Sequence, residues 1–270
     1  VNSRLIQFFD QRPSAKISGK KVLLFFDKLN HPMKAFRRML QRTPFYGVYK
    51  SLGHYPDYWY WKLRGEPIRS PHLLKQRTVR DYAQRYGLRV LVETGTYYGE
   101  MVQAMKGRFT EIYSVEFDPA LAQRAKTKFA RWPHIHILEG DSQKVVPELL
   151  QSLKEPTLFW LDAGYYGWAG LHGNEKRLTS EIEAVLSHSI PNRSTLGGSI
   201  SSGSTASNPA QQHVILMDDA RGLNGQNGSP TVPELKQRIE AEFPGRGFEV
   251  KYDILRITPS SSPEQGEGTL

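Results

Sequence analysis

Arg89-Val90-Leu91-Val92-Glu93-Thr94-Gly95-Thr96-Tyr97-Tyr98-Gly99 is the stretch on which the reading of the fold turns. Residues 89–93 are a short run of β-favouring, mostly apolar side chains. A turn follows that begins with an acid and carries two glycines. Gly95 lets the backbone approach a ligand closely, and Gly99 lets the next helix pack near the strand. Dinucleotide-binding turns carry Gly-x-Gly-x-x-Gly at this place, with helix amides facing a pyrophosphate. This turn does not match that pattern.

The same strand-turn-helix unit recurs downstream. Strands are expected at 111–116, 134–138, 157–161 and 213–217, and a final pair at 248–252 and 254–258. Helical patterns lie between them at 79–86, through about 106, 118–131, 145–153, 175–188 and 232–243. Asp118-Pro119 reads as a helix start, with Asp at the N-cap and Pro in the first turn. Strands alternating with helices argue for a doubly wound parallel sheet. The apolar strands fit burial on both faces, and the last pair suggests an antiparallel strand at the sheet end. Residues 192–212, rich in Ser, Gly, Thr and Asn, read as a flexible loop, and 259–270 as a disordered tail.

Ligands of open parallel sheets bind beyond the carboxyl ends of the strands. Here those ends carry Glu93, Glu116, Asp141-Ser142, Asp162 and Asp218-Asp219. Packing alone does not put an acid at every such position. A carboxylate at Glu116 can accept both hydroxyl protons of a ribose, and Phe117 can lie against an adenine face. Asp141 can take an adenine amino group, and Ser142 can offer its amide or hydroxyl to the ring edge. Glu116 and Asp141 can equally cap the helices that follow them.

Taken together, about 89 to 257 resembles a class I S-adenosylmethionine-dependent methyltransferase domain. The pieces that carry the resemblance are Val-Glu-Thr-Gly-Thr-Tyr-Tyr-Gly at 92–99, Tyr-Ser-Val-Glu-Phe at 113–117, Glu-Gly-Asp-Ser-Gln at 139–143, Phe-Trp-Leu-Asp-Ala at 159–163 and Ile-Leu-Met-Asp-Asp at 215–219. The resemblance implies a Rossmann-like, doubly wound, seven-stranded, mostly parallel sheet with an antiparallel terminal strand. It also implies S-adenosylmethionine as methyl donor. Glu93, Gly95 and Thr96 would then line its methionine side, with Gly99 closing the turn. Glu116 would hold ribose, and Asp141 and Ser142 adenine.

Asp162, Asp218 and Asp219 look like the acidic trio that binds magnesium in metal-dependent small-molecule and sugar O-methyltransferases. Carboxylates from adjacent strand ends suit a hard, octahedral cation, which would lower the pKa of a substrate hydroxyl. Asp162 is thus an expected catalytic residue. Such relatives often carry a basic His or Asp two residues after it, where this chain has Gly164. His172 is the candidate substitute base on the same loop, with Tyr165 and Tyr166 as substrate contacts.

Residues 1–80 lie outside the resemblance. They hold 17 Lys/Arg against 4 Asp/Glu, a balance of +13, whereas 81–270 hold 19 against 23, a balance of −4. This segment is expected to be a helical, aromatic-rich extension to a methyltransferase domain at 81–258. At 32–42, Met33, Phe36 and Leu40 share one helical face, and Lys34, Arg37, Arg38 and Arg42 crowd the rest. The basic character suggests an anionic membrane surface or an acidic substrate. The chain has no Cys, which excludes disulfides, thiolate metal sites and a Cys nucleophile. No signal peptide or membrane-length apolar run is present, so a cytoplasmic location is expected. The expected function is O-methylation of a small-molecule or saccharide hydroxyl. Nucleic-acid methylation and a catalytically silent cofactor-binding scaffold rank behind it, and the sequence leaves room for a homo-oligomer.

Overall fold

The computed structural model describes residues 57–59, 61–63, 65, 70–162, 174–188, 213–226 and 228–259. The expected helix at 32–42, the loop at 192–212, the tail from 260 onward, and Gly164, Tyr165, Tyr166 and His172 lie outside them. Contacts divide the chain into two units. The first comprises Val1–Pro67 with Pro71–Leu73, and the second Ile68–Ser70 with Leu74–Leu270. In the first, residues 57–59 and 61–63 are helical. The second contains the whole sheet.

Seven strands form that sheet: β1 (Val90–Thr94), β2 (Glu111–Glu116), β3 (Ile135–Glu139), β4 (Thr157–Leu161), β5 (Val214–Met217), β6 (Gly247–Lys251) and β7 (Ile254–Thr258). Their order is β3-β2-β1-β4-β5-β7-β6. The first five pair in parallel, and β7 runs antiparallel to both β5 and β6. The helices are α1 (His72–Arg85), α2 (Glu100–Met105), α3 (Pro119–Phe129), α4 (Ser142–Ser152), α5 (Asn174–Ser187) and α6 (Val232–Glu242). The fold is the Rossmann-like, mostly parallel sheet expected from the sequence. Helix α1 starts earlier than its sequence pattern suggested, because Leu74 and Thr78 extend the buried stripe of Val79 and Ala83.

Alternation along each strand sends side chains to two cores. Val90, Val92, Phe159, Leu161, Ile215 and Met217 pack with α4, α5 and α6 residues such as Val146, Ile182 and Leu235. Leu91, Leu158, Trp160 and Leu216 face the other way, onto Val79, Met105 and Phe129 of α1, α2 and α3. Both faces are therefore covered, and the polar termini of the central strands are left as the place for chemistry. The β6–β7 hairpin turns through Tyr252 and Asp253, both with positive φ of 54° and 59°. This is the paired left-handed geometry that matches strand twist in a two-residue hairpin. Asp253 tolerates it because its carboxylate accepts the backbone N–H of Arg221 at 2.9 Å.

Candidate active site

At the end of β1 the chain turns sharply. Gly95 takes φ 85°, Tyr97 φ 49° and Gly99 φ 66°. The N–H groups of Gly95 and Thr96 both donate to the Val115 carbonyl, at 2.9 and 3.2 Å, so the turn lies against the end of β2. Gly99 caps α2, and a Cβ added there would stand 2.7 Å from Cε2 of Phe129. The close helix–strand packing expected of Gly99 is thus a specific contact with α3.

Glu116, at the end of β2, locks the turn. Its Oε2 accepts the backbone N–H of Tyr97 at 2.6 Å, and its Oε1 accepts that of Asp118 at 3.0 Å. It is not a helix cap. Asp118 takes that role on α3, accepting from the N–H groups of Ala120 and Leu121 at 2.7 and 3.0 Å. Phe117 beside it is 58% exposed, and Tyr97 and Tyr98 are exposed as well. Asp141 does cap its helix, α4, accepting the Gln143 N–H at 3.1 Å.

Glu93 points into the protein rather than toward solvent. Thr96 Oγ1 lies 2.6 Å from Ser114 Oγ, which donates to Glu93 Oε2 at 2.5 Å. Burial pushes the Glu93 carboxyl up to about 8, against the pull of the Ser114 hydrogen bond, so it holds a proton at neutral pH.

Glu181 of α5 is a residue that sequence reasoning missed. It is buried, and it accepts the Ser142 hydroxyl at 2.5 Å and the Thr94 hydroxyl at 3.3 Å. It joins the ends of β1 and α4. The Ser142 hydroxyl is therefore engaged internally.

Asp162 follows β4 and Asp218 follows β5, side by side in the sheet. The Asp218 N–H donates to the Leu161 carbonyl at 2.9 Å, and the Asp162 N–H to the Thr94 carbonyl at 3.2 Å. A second residue missed from the sequence, Lys75 of α1, meets these acids, and its ammonium donates to Asp218 Oδ2. Burial works to lower the Lys75 pKa, but the charges of Asp218, Asp162 and Asp219 outweigh it and hold the amine protonated. Burial, then the Asp218 charge, raises Asp162 well above the usual carboxylate range. Asp218 Oδ1 is buried without a hydrogen-bond partner. Asp219 sits in a left-handed conformation and pairs with Arg221 at 2.7 Å.

The magnesium expectation fits these residues poorly. Among the described residues no group of three or more His, Asp or Glu is arranged to hold a metal ion. Asp219 is engaged with Arg221, and an ammonium already lies on Asp218. A doubly charged ion ~4 Å from that ammonium would be repelled by about 8 kcal/mol at an effective dielectric of ~20. Of the remaining expectations, Tyr165, Tyr166 and His172 lie outside the described residues.

No family model and no curated protein matches the sequence. Solved structures are similar to it. The SAH-bound methyltransferase PaMTH1 of Podospora anserina aligns over 93% of this chain and 98% of its own, at 15% identity and a TM-score of 0.47. An O-methyltransferase of Bacillus cereus in complex with SAH covers 71% of this chain and 84% of its own, at 13% identity and TM-score 0.46. TomG of Streptomyces achromogenes, an O-methyltransferase involved in tomaymycin synthesis, covers 74% and 86%, at 12% identity and TM-score 0.46. In this chain five parallel strands, with an antiparallel β7 lying between β5 and β6, make up a Rossmann-like, mostly parallel sheet.

Proposed function

We propose that this chain is an S-adenosylmethionine-dependent methyltransferase acting on a hydroxyl oxygen of a small molecule or saccharide. The observation that carries the reading is Glu116, a carboxylate with a backbone N–H on each oxygen, set between the Gly95 turn and exposed Phe117. Each carboxylate oxygen has a further acceptor direction, so the pair suits two neighbouring ribose hydroxyls. Phe117 gives a purine an apolar face. Asp141 and the Ser142 amide stand at the next strand end for its polar edge, and Gly95 and Thr96 bound the methionine side. These donors and acceptors fit the cofactor, which supplies an electrophilic methyl group on a sulfonium. The chain's own contribution is to align an acceptor oxygen with that group and to hold the acceptor's proton. Asp162, at the next strand end, is the carboxyl placed for the second task.

Calorimetric titration with S-adenosylhomocysteine tests the reading, and wild-type protein that takes up none of it removes the proposal. A second reading, methylation of nucleic acid, is favoured by the +13 balance of residues 1–80. It requires RNA or DNA binding that weakens steeply with salt.

A further inference from the structure

We infer that the Lys75 ammonium is the built-in cation of the strand-end acid cluster, standing where a divalent metal would otherwise be held. Three observations lead there. Lys75 reaches across from α1 to bond Asp218, which is 2% exposed. Its charge is also felt by Asp162 and Asp219. Asp162 and Asp218 follow paired strands, and the Asp218 N–H donates to the Leu161 carbonyl at 2.9 Å, so both acids end where the ammonium sits.

The substitution changes what the site can recognise. A divalent ion draws two adjacent oxygens of an acceptor into its coordination shell. An ammonium donates separate hydrogen bonds and chelates nothing. The acceptor therefore needs one hydroxyl set toward Asp218 and Asp162, not a vicinal pair. That consequence rests on the proposed methyl transfer; the cation assignment itself does not. Lys75 is a positioning residue, since it acts through the carboxylates.

The test reads metal binding directly, using Mn2+ as a paramagnetic probe suited to oxygen ligands. Wild-type protein is titrated with Mn2+ by calorimetry and water-proton relaxation, beside Lys75→Met and the double variant Lys75→Met/Asp218→Asn. The expected result is no stoichiometric site in wild type and one site in Lys75→Met, bound at least about a hundredfold more tightly. That site is lost in the double variant. Mn2+ should also raise the melting temperature of Lys75→Met but not of wild type. A stoichiometric Mn2+ site in wild type overturns the assignment, as does a folded Lys75→Met that binds none. If Lys75→Met folds only with Mn2+ present, the assignment stands; if Mn2+ does not restore it, the assignment falls. Cofactor titration runs separately, so a protein without S-adenosylhomocysteine affinity but with this metal behaviour would refute the function and keep the cation.

Discussion

Glu116 Oε2 accepts the backbone N–H of Tyr97 at 2.6 Å, tying the end of β2 to the turn after β1. One carboxylate therefore shapes the turn, accepting a backbone N–H on each oxygen. Glu116→Gln keeps the side-chain shape but sets an NH2 against one of two backbone donors. We predict that S-adenosylhomocysteine binding weakens about tenfold or more, equivalent to ~1.4 kcal/mol or more. Circular dichroism should show the variant folded. Titration curves that overlay those of wild type would dismiss Glu116 as the ribose ligand.

Gly99 gives a prediction about stability alone. Its φ is 66°, and an added Cβ would meet the Phe129 ring at 2.7 Å. Phe129 is buried, so the ring has little room to retreat. Gly99→Ala should cost about 1–3 kcal/mol from the backbone conformation, with the clash adding to it. A thermal melt should show a drop of several degrees, and an unchanged midpoint would mean that the turn is looser than described.

How much of this was legible in the sequence depends on range. Strands such as 157–161 could be read because burial on both faces leaves a short, nearly continuous apolar run. The Asp118 cap could be read because its partners, Ala120 and Leu121, are its near neighbours. Lys75 and Glu181 could not. Their partners lie 143 and 39 positions away, and each sits in a helix that reads as solvated. The clue for Lys75 was its place beside Leu74 and in line with Thr78 and Val79, on the stripe that α1 buries. The same long-range contact is what set aside the magnesium expectation, because three acids in sequence say nothing about a lysine that folds among them.

Glu181 accepts the Ser142 hydroxyl and the Thr94 hydroxyl, and the Thr94 oxygen in turn accepts the Asp162 N–H. Removing the carboxylate strands buried donors. Glu181→Ala should lose about 2–4 kcal/mol, from the unsatisfied hydroxyls and the lost side-chain volume. Glu181→Gln retains acceptor capacity, and rotating hydroxyls can adapt to it, so its loss should be smaller. Urea unfolding of the three proteins checks the order. Equal midpoints for Ala and wild type would show that the Ser142 and Thr94 hydroxyls find other partners.

At the opposite end of the sheet, His213 should make stability fall in acid. Its ring is fully buried, its Nδ1 accepts the Thr157 N–H at 3.2 Å, and its Nε2 faces His188 at 3.3 Å. Burial, with the nearby charges of His188 and Arg246, lowers its pKa from 6.5 to about 4. The unfolded chain takes up a proton below about pH 6.5 that the folded chain refuses until about pH 4. The stability contributed by the neutral ring is thus complete above pH 6.5 and is lost as pH falls toward 4. Glu93 acts in the other direction, because its raised pKa makes folding bind a proton between about 4.5 and 8. A variant that lacks only the titrating ring separates the two. His213→Asn places an amide oxygen near the position of Nδ1, able to accept the Thr157 N–H. Measured by urea unfolding at pH 7 and pH 5, wild type should lose on the order of 2 kcal/mol more than His213→Asn. Parallel pH dependences for the two proteins would show that His213 gains its proton without opening the fold.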